Sequence, residues 1–109
     1  MTRTFDLGQV VVTRKVHELQ GSNERFLIDI ANAVWMYKHK RWGATCEEDA
    51  RMNDEALVIG ERIVAKYKTC EGDIFIITEW DRSVTTILFP EEYYDLAGRL
   101  NGRPAFLSF

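Results

Sequence analysis

Glu79, Asp81 and Arg82 fall within one short stretch, TEWDRSVTT (78–86), with Trp80 between the acids and Ser83, Thr85 and Thr86 behind them. Two carboxylates this close can hold Mg²⁺ or divide acid and base roles, as paired carboxylates do in hydrolases. Either site needs a further partner. The only histidines, His17 and His39, lie far from this stretch and from HxxxH or HxH spacing, so they read as surface or capping residues. Cys70 is a strand away, and no base stands beside the hydroxyls. No catalytic residue, metal ligand or cofactor is therefore assigned. The cluster is better explained as a turn, with Asp81 accepting backbone N–H groups and Arg82 pairing with Glu79 or Asp81 across the bend. Its charges and its indole also suit a binding edge, with Glu79, Trp80, Asp81 and Arg82 as the contact residues.

A second cluster is YKHKRWG (37–43), in which Lys38, Lys40 and Arg41 accompany Trp35, Tyr37 and Trp42. Cations interleaved with aromatics can follow a phosphate backbone and stack bases, so Lys40, Arg41 and Trp42 are candidate contacts to a nucleic acid or a protein. The structural alternative is a helix end whose cations offset the macrodipole, with Trp42 tucked under the loop. The acids that follow, Glu47, Glu48, Asp49, Asp54 and Glu55, form a solvated face. Such a face can also imitate phosphates and enter a nucleic-acid channel on another protein. The glycines make neither GxGxxG nor a Walker pattern, and GxSxG and HExxH are absent.

The elements that would position these residues are legible from period and punctuation. GSNERFLIDIANAVWMYKHKRWG predicts a helix capped by Ser22 or Asn23, with Phe26, Ile30, Ala33, Val34 and Tyr37 on one face and Gly43 as the stop. TCEE predicts a capping box for a second helix from Thr45 to Gly60, which Asn53 interrupts. Before these, Val10 to Thr13 is a β-branched run that predicts a first strand, entering a short helix through TRKVHELQ. Afterwards the period changes to two. RIVAKYKT (62–69), IFIITEW (74–80) and VTTILF (84–89) predict three strands joined at CEGD and DRS, then Pro90 and a short C-terminal helix in EEYYDLAGRL, and an apolar-tipped tail. The expected fold class is α+β, with an N-terminal strand and helices packed on a three-stranded antiparallel meander.

Size and composition agree with a single domain over residues 1–109. Apolar residues make up 46% and charged residues 28%, ordinary globular usage, and the net charge of −3 creates no field that gathers polyanions. Cys46 and Cys70 form no CxxC and read as a reduced pair. MTRTFDLGQ has no apolar h-region and no apolar run approaches membrane-spanning length, so a cytoplasmic protein without a membrane segment is expected. The meander's outer strand presents an edge that a second copy can pair with, which makes a homodimer reasonable.

The stretches FDLGQVVVTR, RWG, NDEALVIGERIVAKY and IFIITEWDRSVTTILFPEEY together resemble small uncharacterised proteins of bacterial plasmids, integrative elements and prophages, often labelled plasmid-related protein. The resemblance covers roughly residues 5–93, and the ITE-x-DRS-x-TT-x-LFPEEY block is its most specific part. Members often carry Gly-Asp-Trp-Gly where this chain has Lys40, Arg41, Trp42 and Gly43. The resemblance implies a mobile-element origin and no chemistry. Small proteins of such elements often inhibit host defence, anti-CRISPR proteins included. The expectation is therefore a non-enzymatic protein that binds a host effector. The alternatives are a nucleic-acid accessory factor using Lys38 to Trp42, and a small enzyme or metal-binding protein centred on Glu79 and Asp81.

Overall fold

The computed structural model describes residues 4–93 and 106–108. Strand β1 (Gln9–Thr13) runs into helix α1 (Arg14–Ser22), followed by α2 (Glu24–Lys38) and α3 (Glu47–Ile59). Strands β2 (Ile63–Thr69), β3 (Gly72–Thr78) and β4 (Val84–Leu88) come next, then a helical turn at 90–93 and β5 (Phe106–Ser108). The fold is α+β. The turn at 90–93 is the described part of the expected C-terminal helix, whose remainder lies outside the described residues. Pro90 occupies the first helical position, and the Glu92 carboxylate accepts the Phe89 N–H at 2.9 Å, half of a capping box.

The meander β2–β3–β4 forms as expected, but it is not the whole sheet. The order is β2-β3-β4-β1-β5, with β1 parallel to β4 and antiparallel to β5. Strand β1 is thus central, which explains why Val11, Val12 and Thr13 are all buried: a strand covered on both faces has no polar alternation. The tail, read only as apolar-tipped, supplies an edge strand.

One face of the sheet carries Val12, Ile63, Ala65, Tyr67, Ile74, Ile76 and Ile87. Val16 of α1 and Phe26, Ile30, Ala33 and Tyr37 of α2 cover it, and all of these are buried. The 4-3-4 spacing on α2 is what places its four core residues on one stripe. Asn23 caps α2, its Oδ1 accepting the Phe26 N–H at 3.2 Å. Asp29 on the same helix accepts the Cys70 N–H at 2.8 Å and so fixes the tip of the β2–β3 hairpin, a bond that holds its carboxyl below the ordinary carboxylate range. Phe5, Tyr37, Trp42 and Tyr67 pack edge-to-face and tilted beneath the loop after α2, with centroids 5.3–6.3 Å apart.

Helix α3 departs from its expected start. Its N-cap is Cys46, which makes no side-chain capping bond. The Thr45 hydroxyl instead donates to the Trp42 carbonyl at 2.5 Å and accepts the Lys66 N–H at 2.8 Å. A backbone group on β2 therefore takes the oxygen that a capping box would have used. Asn53 does not interrupt the helix either. It is buried and turned toward β2, donating from Nδ2 to the Val64 carbonyl at 2.9 Å and accepting the Val64 N–H at Oδ1 at 3.3 Å. Ala44 donates its N–H to the Lys66 carbonyl at 2.8 Å. The outward-facing groups of Val64 and Lys66 are thus all occupied, so the edge at these residues is closed rather than free for a second copy.

Candidate functional site

The TEWDRSVTT stretch is the β3–β4 connection. Glu79 donates its N–H to the Val84 carbonyl at 3.1 Å, and Arg82 donates its N–H back to the Glu79 carbonyl at 2.9 Å, closing a four-residue turn. Arg82 takes a left-handed φ of 60°. Gly8 approaches this turn so closely that a Cβ there would meet the carbonyls of Arg82 and Ser83, and its φ of 62° adds a second reason for glycine.

The side chains of Thr78, Glu79, Asp81, Arg82, Ser83 and Thr85 of the stretch each have a partner. Asp81 Oδ1 accepts from the Ser83 N–H at 3.1 Å and from the Ser83 hydroxyl at 2.6 Å, bonds that hold its carboxyl below the usual range. Glu79 forms an ion pair with Arg62 at 3.6 Å. The expected bond between Arg82 and one of these acids is not made. Its guanidinium donates to three backbone carbonyls: Glu61 at 2.6 Å, Ala56 at 3.0 Å and Glu79 at 3.1 Å. Ala56 lies in the last turn of α3 and Glu61 just beyond its end. The Ala56 carbonyl also accepts the Gly60 and Glu61 N–H groups, and the guanidinium sets a fixed cation at the negative end of the helix dipole.

Thr78 and Thr85 are buried in a directed hydroxyl chain. Thr85 must donate to the Leu7 carbonyl at 2.6 Å, so Thr78 donates to Thr85 at 2.7 Å and Tyr37 donates to Thr78 at 2.7 Å. The Tyr37 phenol has its pKa raised far above the ordinary tyrosine range, chiefly by burial, so it stays a donor at any physiological pH. These groups hold strands together. Among the described residues no group of three metal-ligating side chains comes together, and Glu79 and Asp81 acquire no third donor.

The second cluster divides. Trp42 is only 7% exposed and donates its indole N–H to Asp54 at 2.9 Å, so its ring is not available for stacking. The alternative reading of Trp42 as tucked under its loop describes it correctly. Lys40 has a φ of 64° and is the left-handed residue of a Schellman motif, with Lys40 N–H on Tyr37 O at 3.0 Å and Arg41 N–H on Met36 O at 2.8 Å. Position 40 is thus one where glycine would be free of strain. Arg41 reaches the exposed face of α2, 5.7 Å above the ring of Trp35, which itself stacks on His39 at 4.1 Å. His39 Nδ1 donates to the Trp35 carbonyl at 2.7 Å. Trp35 is the solvent-exposed aromatic of this cluster, a role that the sequence reading gave to Trp42.

The most exposed apolar side chains lie elsewhere. Trp80 at the turn is 67% exposed, and Val58 and Ile59 at the end of α3 are 84% and 68% exposed. Arg82 ties these two places together through its bonds to Ala56 and Glu61. Between α3 and the sheet runs a groove of about 600 Å³, walled by Met52, Ala56 and Ile59 and floored by Val64 and Phe75. Nothing in the sequence marked Val58, Ile59 and Met52 as surface groups, because apolar residue types on a helix do not state which of them pack. No protein-family model, no curated protein and no solved structure matches the chain.

Proposed function

We propose that the chain is a non-enzymatic protein-binding protein, with Trp80, Val58 and Ile59 as its anchors, and that its partner is a host effector of the kind mobile elements inhibit. The support is the contrast at one end of the molecule. The polar residues of the β3–β4 turn are spent on holding the turn and α3 together, whereas three large apolar side chains there face water. Exposed aromatic and aliphatic groups beside a rigid, bonded turn are the usual form of an interface anchor. Glu79, Asp81 and Arg82 shape that surface; Trp80 supplies its area. The test is phage plating on cells that carry an active CRISPR or restriction system and express the protein. Plating is expected to rise, and Trp80→Asp is expected to abolish the rise while leaving the circular-dichroism spectrum intact. Unchanged plating under such systems, together with no Trp80-dependent partner in a lysate pull-down, would count against the proposal.

A second reading, a nucleic-acid accessory factor, keeps one specific observation in its favour: the stack of Arg41, Trp35 and His39 is open to solvent beside Lys38 and Lys40. Under it, single-stranded DNA or RNA binding weakens with salt at a log–log slope of about −2, appropriate to three cations on a single strand at roughly −0.7 each. Lys40→Glu with Arg41→Glu removes the binding, and so does Trp35→Ala. Binding that ignores salt excludes this reading.

A further inference from the structure

The groove between α3 and the sheet is a concave, largely apolar surface beside the anchors. Its volume of about 600 Å³ falls in the roughly 300–1,000 Å³ range of binding clefts, and Met52 and Ile59 on its wall are exposed. Acids predominate along its helical wall. Helix α3 carries Glu47, Glu48, Asp49, Asp54 and Glu55 against Arg51 alone, and Glu61 follows it. Of these acids only Asp54 is engaged, by the Trp42 indole; Glu47, Glu48, Asp49 and Glu55 are exposed and make no ion pair among the described residues. Two cations line the groove as well. Arg62 is committed to Glu79 at 3.6 Å, which leaves Lys66 as its uncommitted cation.

Glu48, Met52, Glu55 and Ile59 recur at three- and four-residue spacing, so acids and apolar groups alternate along one stripe of the helix. A second copy of this chain would set these acids against themselves, and a nucleic acid would bring phosphates to them. A basic partner segment meets both requirements at once.

We infer that the groove docks a cationic, amphipathic segment of the partner protein, an aliphatic side chain seating among Met52, Ile59 and Phe75 while lysines or arginines of that segment meet Glu48, Asp49 and Glu55. The inference rests on the protein-binding reading above and narrows it: a partner presenting such a segment is one that ordinarily handles polyanions. The acidic face then occupies a surface meant for phosphate.

The probe is a synthetic amphipathic helical peptide of leucine and lysine, titrated into the ¹⁵N-labelled protein. Saturable binding is expected, with shifts concentrated at Met52, Asn53, Ile59 and Phe75. A matched leucine/glutamate peptide and a matched serine/lysine peptide are each expected to bind at least about ten-fold more weakly, the factor carried by one lost anchor or charge set. Met52→Lys with Ile59→Lys should weaken the leucine/lysine peptide by a similar factor. Both side chains are exposed, so the melting temperature should hold. As a second variant, Glu48→Lys with Glu55→Lys should reverse the preference toward the leucine/glutamate peptide. Absent saturation, shifts mapping elsewhere, or equal binding of the leucine/glutamate peptide overturns the inference. If that happens while Trp80-dependent capture or inhibition persists, the groove is wrong and the protein-binding reading stands.

Discussion

Arg82→Met is expected to lower the free energy of unfolding by about 3 kcal/mol and the melting temperature by roughly 10–20 °C. The side chain is only partly in solvent, and its guanidinium donates to the carbonyls of Glu61, Ala56 and Glu79 at 2.6, 3.0 and 3.1 Å. Hydrogen bonds to a charged group contribute about 1.5–3 kcal/mol each when counted singly, and three that share one group do not add. Methionine keeps the aliphatic stem, so the loss reports the bonds rather than a cavity. Lysine restores the cation at the end of α3 without the planar fork that reaches three acceptors, so Arg82→Lys should fall between the two. Chemical denaturation followed by circular dichroism measures all three proteins. An Arg82→Met midpoint equal to that of the parent would show that the contacts carry no stability.

The same residue shows where sequence reading succeeds and where it stops. The turn at 79–83 was legible because its chemistry is local: Asp81 is two residues from the Ser83 groups that it binds. The partner of Arg82 was not, because Ala56 and Glu61 lie 26 and 21 residues away along the chain. Nothing in period or spacing states which backbone carbonyls a guanidinium will meet. The helices follow the same division. The core stripe of α2 could be written down from its spacing. The start of α3 could not, because the Thr45 hydroxyl serves a strand that the capping pattern does not mention. Strand β1 was recognisable as a strand, while its place between β4 and β5 depends on pairings across most of the chain. The exposed anchors were the hardest to see. Val58 and Ile59 have the residue types of a core, and their exposure follows from α3 turning Asn53 toward the edge of β2, a tertiary contact that no local pattern states. Trp35 and Trp42 illustrate the point within a single cluster. They are seven positions apart in sequence, yet one is exposed on α2 and the other is buried beneath the loop.

Asn53 joins stability to assembly, and Asn53→Ala is expected to change both. Its side-chain amide matches the N–H and carbonyl of Val64 as a neighbouring strand would, at 3.3 and 2.9 Å, from a position that is nearly buried. Removing the amide leaves a backbone donor and acceptor without partners beneath α3. The cost should be about 2–4 kcal/mol, from two lost hydrogen bonds and the desolvation of the groups left behind. Asn53→Asp separates the two bonds, because the carboxylate still accepts the Val64 N–H but faces the Val64 carbonyl with no proton to offer. It should be at least as destabilising near neutral pH and should recover in part as the carboxyl is protonated. The second effect concerns the edge of the sheet. In the parent, Asn53, Thr45 and Ala44 occupy the outward groups of Val64 and Lys66, so edge pairing between copies is blocked over that part of β2. Asn53→Ala reopens the first of these positions, and an unpaired edge recruits another strand. Sedimentation velocity of the variant should therefore show concentration-dependent association beyond that of the parent, under conditions where circular dichroism still reports a folded protein. If the variant unfolds at the parental denaturant midpoint, the pairing with Val64 is dispensable; if it is destabilised without any added association, the edge is closed by the packing of α3 rather than by its asparagine.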